Sequence, residues 1–71
     1  MNAAVGSLSV GQLFEYEDTT FVRTPQMSIK IEGVEFVTNC LRKLGGRDDR
    51  LPVMIIADFV PHDQIVELTV M

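Results

Sequence analysis

The residues best suited to catalysis in this 71-residue chain are one histidine, one cysteine and a few carboxylates. His62 and Asp63 form the one adjacent His–carboxylate pair, and Cys40 carries the one thiol. A cysteine nucleophile requires a base within hydrogen-bond reach of its sulfur. Cys40 lies among apolar neighbours, where a thiol usually packs without reacting, and His62 follows Pro61 in a predicted surface turn. We therefore predict no catalytic residues and no enzymatic activity.

Three carboxylates lie close together at the clearest hairpin of the sequence. Glu15, Glu17 and Asp18 would need a confined site to separate their pKa values for acid–base catalysis, and a hairpin tip is solvated. Their simplest interpretation is an acidic turn that aids solubility. The functional alternative is an acidic docking face for a protein partner, shared with Tyr16 and Phe21. Those aromatic side chains are expected in the core, with an exposed binding platform as the alternative.

Four of the six basic residues fall within nine positions: Arg42, Lys43, Arg47 and Arg50. Two aspartates between them dilute their charge, and the formal net charge of the chain is −4. A general nucleic-acid binder needs a net basic face to displace counterions from phosphates, so nucleic acid is disfavoured as a partner. This segment is interpreted as a solvated loop, with a partner-binding loop or a local nucleic-acid contact as alternatives.

Composition limits the remaining function classes. The sequence has no phosphate-binding glycine loop, and one histidine with one cysteine cannot supply four zinc ligands, so we expect no cofactor and no metal. The apolar runs are shorter than the roughly 20 residues of a membrane helix. No signal peptide is recognisable, and the free thiol suits a reducing compartment. We expect a cytoplasmic protein.

The length predicts a single domain, residues 1–71, with a small core. A core of this size supplies roughly 3–5 kcal/mol, and one cysteine excludes an internal disulfide. Good packing or a protein partner is then the remaining source of stability. Residues 1–7 are small and polar, and we expect them to be a frayed end.

The first predicted hairpin pairs Leu13–Tyr16 with Thr20–Arg23 through a turn at residues 17–19. In it, alternation places Phe14 and Tyr16 on one face. Pro25 lacks an N–H, so the second strand is expected to end at residues 24–26.

The segment 34–44 supports two interpretations. As a strand it places alternate residues on opposite faces after a break at Gly33. As a helix it has apolar residues at Val34, Val37, Leu41 and Leu44, the spacing of an amphipathic stripe. Its β-branched residues favour the strand, and the basic residues at its end favour the helix.

Two more strands are predicted near the end of the chain. The continuous apolar run 53–57 is typical of a strand buried on both faces. Residues 64–70 alternate, with Val66, Leu68 and Val70 on one face. The predicted fold class is mainly β, a small antiparallel barrel or curled sheet of four or five strands, with α+β and one helix at 34–44 as the alternative.

The sequence resembles small β-rich proteins of bacteriophages and bacteria, most of them uncharacterised. The positions that carry the resemblance are Gly11, Phe14, Tyr16, Asn39, Cys40, Phe59, Pro61, Val66 and Glu67. The resemblance implies a small β-rich domain that is phage-encoded, and a phage-encoded protein would be located in the host cytoplasm. Compact acidic phage proteins of this size often regulate host machinery, RNA polymerase included, although fold alone does not fix function.

We therefore predict a non-enzymatic protein-interaction module. Its most specific version is a phage-encoded regulator that docks its acidic hairpin on a host complex such as the transcription machinery. One alternative is a small-barrel nucleic-acid-binding protein. The other is a homo-oligomer that completes its core by pairing an open sheet edge. We expect no membrane association.

Overall fold

The chain forms one antiparallel sheet in a computed structural model that describes residues 1–44 and 53–69. Its strands are β1 (Asn2–Ala4), β2 (Leu13–Tyr16), β3 (Thr19–Ile31), β4 (Val34–Leu44), β5 (Met54–Asp58) and β6 (Ile65–Leu68). Their order across the sheet is β1-β6-β2-β3-β4-β5. The sheet curls without closing, because β1 and β5 lie at opposite ends of this order. The prediction of a mainly β curled sheet is confirmed, with six strands in place of four or five.

The first hairpin has a tighter turn than expected. Phe14 pairs with Phe21 and Tyr16 with Thr19, so Thr19 belongs to β3 and not to the turn. Glu17 and Asp18 have φ angles of 51° and 59°. Positive φ at both central residues is the geometry of a type I′ turn, whose twist matches that of the flanking strands.

Strand β3 does not end near Pro25, contrary to the expectation from the missing N–H. It runs on to Ile31, with a register shift in its pairing with β4 between Arg23 and Met27. Pro25 lies inside that irregular stretch. A proline is tolerated there because the local ladder does not require its N–H.

The segment 34–44 is strand β4, so the helical interpretation is wrong. Each side of β4 is paired over part of its length, with β3 and with β5. Its β-branched residues suit this pairing. A second two-residue turn joins β3 to β4, with φ angles of 50° at Glu32 and 80° at Gly33.

The N-terminal residues are ordered, contrary to the expected frayed end. Strand β1 pairs with β6, and a 3-10 turn follows it at Val5–Ser7. Val5 is fully buried, and its N–H donates to the Gln64 carbonyl at 3.0 Å. The buried apolar core consists of Val5, Phe14, Phe21, Cys40, Val60 and Val66.

The apolar run 53–57 does not form a strand buried on both faces. It forms β5, which lies at one end of the described sheet, with Met54 56% and Ile55 62% exposed. By contrast, β6 follows the predicted alternation, since Val66 is buried and Leu68 packs against the core. Val70 lies outside the described residues.

Candidate protein-interaction surface

The far half of the β3–β4 hairpin extends beyond the rest of the sheet. Residues 27–31 pair with 34–38, and we call this paired segment, residues 27–38, the arm. Strand β2 pairs only with residues 19–22 of β3, and β5 only with residues 40–44 of β4. Among the described strands, the arm therefore has no neighbour on either side.

One face of the arm is apolar and exposed. Cross-strand partners share a face of the sheet, and here Ile29 lies opposite Phe36 and Ile31 opposite Val34. These four residues and Met27 are 39–57% exposed. We call them the arm face: Met27, Ile29, Ile31, Val34 and Phe36.

The reverse side of the arm is mostly polar. Lys30 pairs with Glu35 across the two strands, and the Ser28 hydroxyl donates to a Glu35 carboxylate oxygen at 2.7 Å. Val37 is the apolar exception. Strict alternation of this kind is typical of a strand with one buried and one solvated face.

The arm face continues the side of the sheet that carries the core. Along β4, Phe36, Thr38 and Cys40 alternate onto the same side, and Cys40 is fully buried. Where the arm meets the sheet, a concavity of about 320 Å³ is lined in part by Ile29, Phe36 and Phe59. The hydrophobic side of the sheet thus extends past the point where the described chain covers it.

This surface was not predicted from the sequence. The strand interpretation of 34–44 places alternate residues on opposite faces, but alternation does not show which segment covers a face. The length of the hairpin is the feature that indicates this surface. Strands β3 and β4 have 13 and 11 residues, and their neighbours β2 and β5, with four and five residues, are too short to pair with them along their whole length.

The predicted acidic docking residues are only partly accessible. Glu15, Glu17 and Asp18 are exposed, and the negative charge of Glu17 raises the pKa of the Tyr16 phenol. Phe21 is buried and stacks on Phe14 with ring centroids 5.3 Å apart. Phe21 therefore belongs to the core, and its prediction as a partner-binding residue is wrong. The stacked aromatic pair stabilises the fold.

The structure adds a carboxylate to the acidic face. Glu15 is the direct cross-strand partner of Glu67, and both side chains are exposed. Like charges directly opposite one another destabilise a sheet. The outer side of β2 and β6 is therefore more acidic than the hairpin sequence alone predicts.

The predicted basic contact is only partly described. Arg42 Nε lies 3.0 Å from Asp58 Oδ2 as a close ion pair, although Nε is not aligned for a hydrogen bond. This pair offsets the charge of Arg42, while Lys43 is exposed. Arg47 and Arg50 lie outside the described residues. Arg23 is structural, since its guanidinium donates to the carbonyls of Val5, Thr24 and Asn39.

Cys40 and His62, the candidate nucleophile and base, lie in different environments. Cys40 is fully buried, and burial, with a smaller effect of Asp58, raises the pKa of its thiol to about 11. The thiol is therefore protonated near neutral pH, and the protonated form is a poor nucleophile. His62 is exposed, with its ring 6.1 Å from that of Phe59.

Within residues 1–44 and 53–69, no group of three or more His, Cys, Asp or Glu side chains could hold a metal ion. The same residues contain no helix long and apolar enough to cross a membrane.

No protein-family model matches the chain, and searches of curated proteins and of solved structures found no similar protein. The resemblance to phage and bacterial proteins therefore stays a prediction. What the geometry itself offers is an exposed apolar strip on a projecting hairpin, which is suited to contact with another macromolecule.

Proposed function

We propose that this protein is a non-enzymatic protein-interaction module that binds through its arm face. The observation that carries the proposal is the row of five apolar side chains on one side of the arm, each 39–57% exposed. Contiguous exposed apolar patches on soluble proteins often mark interaction sites. Single exposed apolar residues are common, but a row that continues a core face is not.

The two sides of the arm support this interpretation. If the arm were simply solvated, both sides would be free to carry polar residues. Instead the polar residues lie on the reverse side, as with Lys30 and Glu35, and the apolar ones on the side shared with the core. This pattern fits a face that is buried in the functional state.

The exposed acidic residues of the first hairpin have a secondary role in the proposed function. Exposed charge steers association and fixes orientation more than it adds affinity. Glu15, Glu17 and Asp18 would then orient a partner that the arm face holds. The narrower prediction, a regulator of host transcription, rests on the resemblance alone, and nucleic-acid binding remains the alternative.

Affinity capture with matched variants tests the proposal. Tagged wild-type protein is incubated with a bacterial lysate to which the untagged chain has been added, and the retained proteins are identified by mass spectrometry. Phe36→Lys places a charge on the arm face, whereas Val37→Lys places the same charge on the reverse side of the same strand. We expect Phe36→Lys to lose the specific partners and Val37→Lys to keep them.

A third bait separates the two surfaces. The triple variant Glu15→Lys, Glu17→Lys, Asp18→Lys should weaken capture without abolishing it, because it alters steering and leaves the apolar contact intact. If both arm variants retain the same proteins as the wild type, the arm face is not the docking surface. Loss of all partners in the triple variant alone would assign docking to the acidic hairpin.

A further inference from the structure

We infer that the arm face is covered by the arm face of a second copy of this chain, in a two-fold symmetric dimer. This inference rests on the proposed function, since it identifies the partner of the same surface. Two arms would pack face to face as two layers of sheet, about 10 Å apart. Each copy would bury the residues that it now exposes.

The exposed area of the whole chain is larger than that expected of a compact monomer. The accessible surface is 5388 Å². A compact monomer of this mass exposes about 4,400 Å², roughly 1,000 Å² less, by the usual scaling. A standard protein interface takes about 800 Å² from each partner. The arm face adds five apolar side chains to this exposed area, each 39–57% exposed.

The small core gives a reason for the partner to be another copy. Only six apolar residues are buried among the described residues. Small natural domains often add a disulfide, a metal or oligomerisation to a marginal core, and a single cysteine excludes an internal disulfide. A second copy of the chain is present wherever the protein is made. It can supply the added burial without any other partner.

The chemistry of the arm face permits self-association. The five residues carry no charge, so two copies can bring these faces together without placing like charges in contact, despite a net charge of −4 on each chain. Lys30 and Glu35 lie on the reverse side, away from the contact. A two-fold axis makes the same patch serve both subunits and closes the assembly, so no further copies are added.

Sedimentation analysis across a dilution series tests the inference. We expect the wild type to sediment at twice the 7.9 kDa mass of one chain at high concentration and to dissociate on dilution. Phe36→Lys and, at the arm tip, Ile31→Lys should remain monomeric at concentrations where the wild type is dimeric. Val37→Lys should dimerise like the wild type. Circular dichroism and an amide NMR spectrum of each variant establish that it is folded.

Isotope-filtered NMR then identifies the face. In a mixture of labelled and unlabelled chains, we expect intermolecular contacts between the Phe36 ring and the methyl groups of Ile29 or Ile31. Intermolecular contacts confined to other residues, such as those of β5, would overturn the inference even if a dimer forms. A wild type that stays monomeric at millimolar concentration would overturn it as well.

The two proposals fail separately. A monomeric protein that captures another protein through Phe36 but not Val37 refutes the dimer and leaves the interaction module intact. A monomer that captures nothing through the arm face refutes both.

Discussion

The Asn39 side chain and the Val60 backbone form two hydrogen bonds with each other inside the core. Asn39 Nδ2 donates to the Val60 carbonyl at 2.7 Å, and the Val60 N–H donates to Asn39 Oδ1 at 3.0 Å. Asn39 is fully buried and Val60 nearly so. The amide thus takes the place of a strand partner and attaches the segment between β5 and β6 to β4.

Replacing Asn39 by alanine should be among the most destabilising single changes in the chain. The substitution leaves a buried N–H and a buried carbonyl without partners, and each such group costs about 1–3 kcal/mol. We expect a loss of about 2–4 kcal/mol in the free energy of unfolding. Urea denaturation measures it, with both proteins at the same concentration so that any self-association affects the two measurements alike. Thr38→Ala, at the neighbouring half-buried position, is the control; equal effects of the two changes would contradict this role.

A substitution in the Glu15–Glu67 pair should stabilise the protein. Glu15→Lys replaces a repulsive cross-strand pair with an attractive one, and we expect a gain of about 0.2–1 kcal/mol. Thermal denaturation at low salt measures the gain, which should shrink at 1 M salt. Asp63→Lys makes the same change of net charge in the exposed turn and serves as the control. An equal gain from both substitutions would attribute the effect to net charge alone.

Local features of the fold could be predicted from the sequence because short-range physics decides them. Alternation of side chains identified the strands and faces of β2 and β6, including Val66 and Leu68. For 34–44 it supplied one of two interpretations, the strand, which β4 confirms. Gly33 marked the second turn correctly. The register of a hairpin follows from its turn, and here the sequence prediction was wrong by one residue. The predicted turn at 17–19 would place Phe14 opposite Val22, whereas the observed two-residue turn pairs Phe14 with Phe21.

Features that depend on the whole sheet could not be predicted in this way. An apolar run such as 53–57 has the same composition whether its strand is central or at an edge, and only the strand order places β5 at the end. Pro25 is compatible with a continuous strand only because the β3–β4 register shifts between Arg23 and Met27. The residues around Pro25 do not reveal that shift by their pattern. The arm face could not be predicted for the same reason. The exposure of Phe36 depends on where β2 and β5 pair along β3 and β4, and this is a property of the whole sheet.

The turn between β3 and β4 can be improved by a single substitution. Glu32 has a φ of 50° and precedes Gly33 at 80°, where a type I′ turn favours Asn-Gly. We expect Glu32→Asn to stabilise the protein by about 0.5–1 kcal/mol, because asparagine tolerates the left-handed region better than glutamate. Urea denaturation measures it. Glu35→Asn removes the same charge from a strand position of the arm and should destabilise; a stabilising Glu35→Asn would contradict the explanation.

The buried thiol of Cys40 should make stability fall at high pH. Burial raises the pKa of this thiol in the folded protein to about 11, above the ordinary value of 9.0, with a smaller contribution from Asp58. Between these two values the unfolded chain loses its thiol proton while the folded chain keeps it. The unfolded state is therefore favoured progressively as pH rises from about 9 to about 11. Below that window the thiol is protonated in both states, and its stabilising effect is fully present.

Comparison with Cys40→Ala isolates this contribution. All other ionisable groups are present in both proteins, so their effects cancel in the difference. We expect the free energy of unfolding of the wild type to fall more steeply than that of Cys40→Ala between pH 9 and pH 11, and the two curves to run parallel below pH 8. Parallel curves over the whole range would show that the thiol ionises equally easily in the folded and unfolded chains, which contradicts its burial against Val60 and the core.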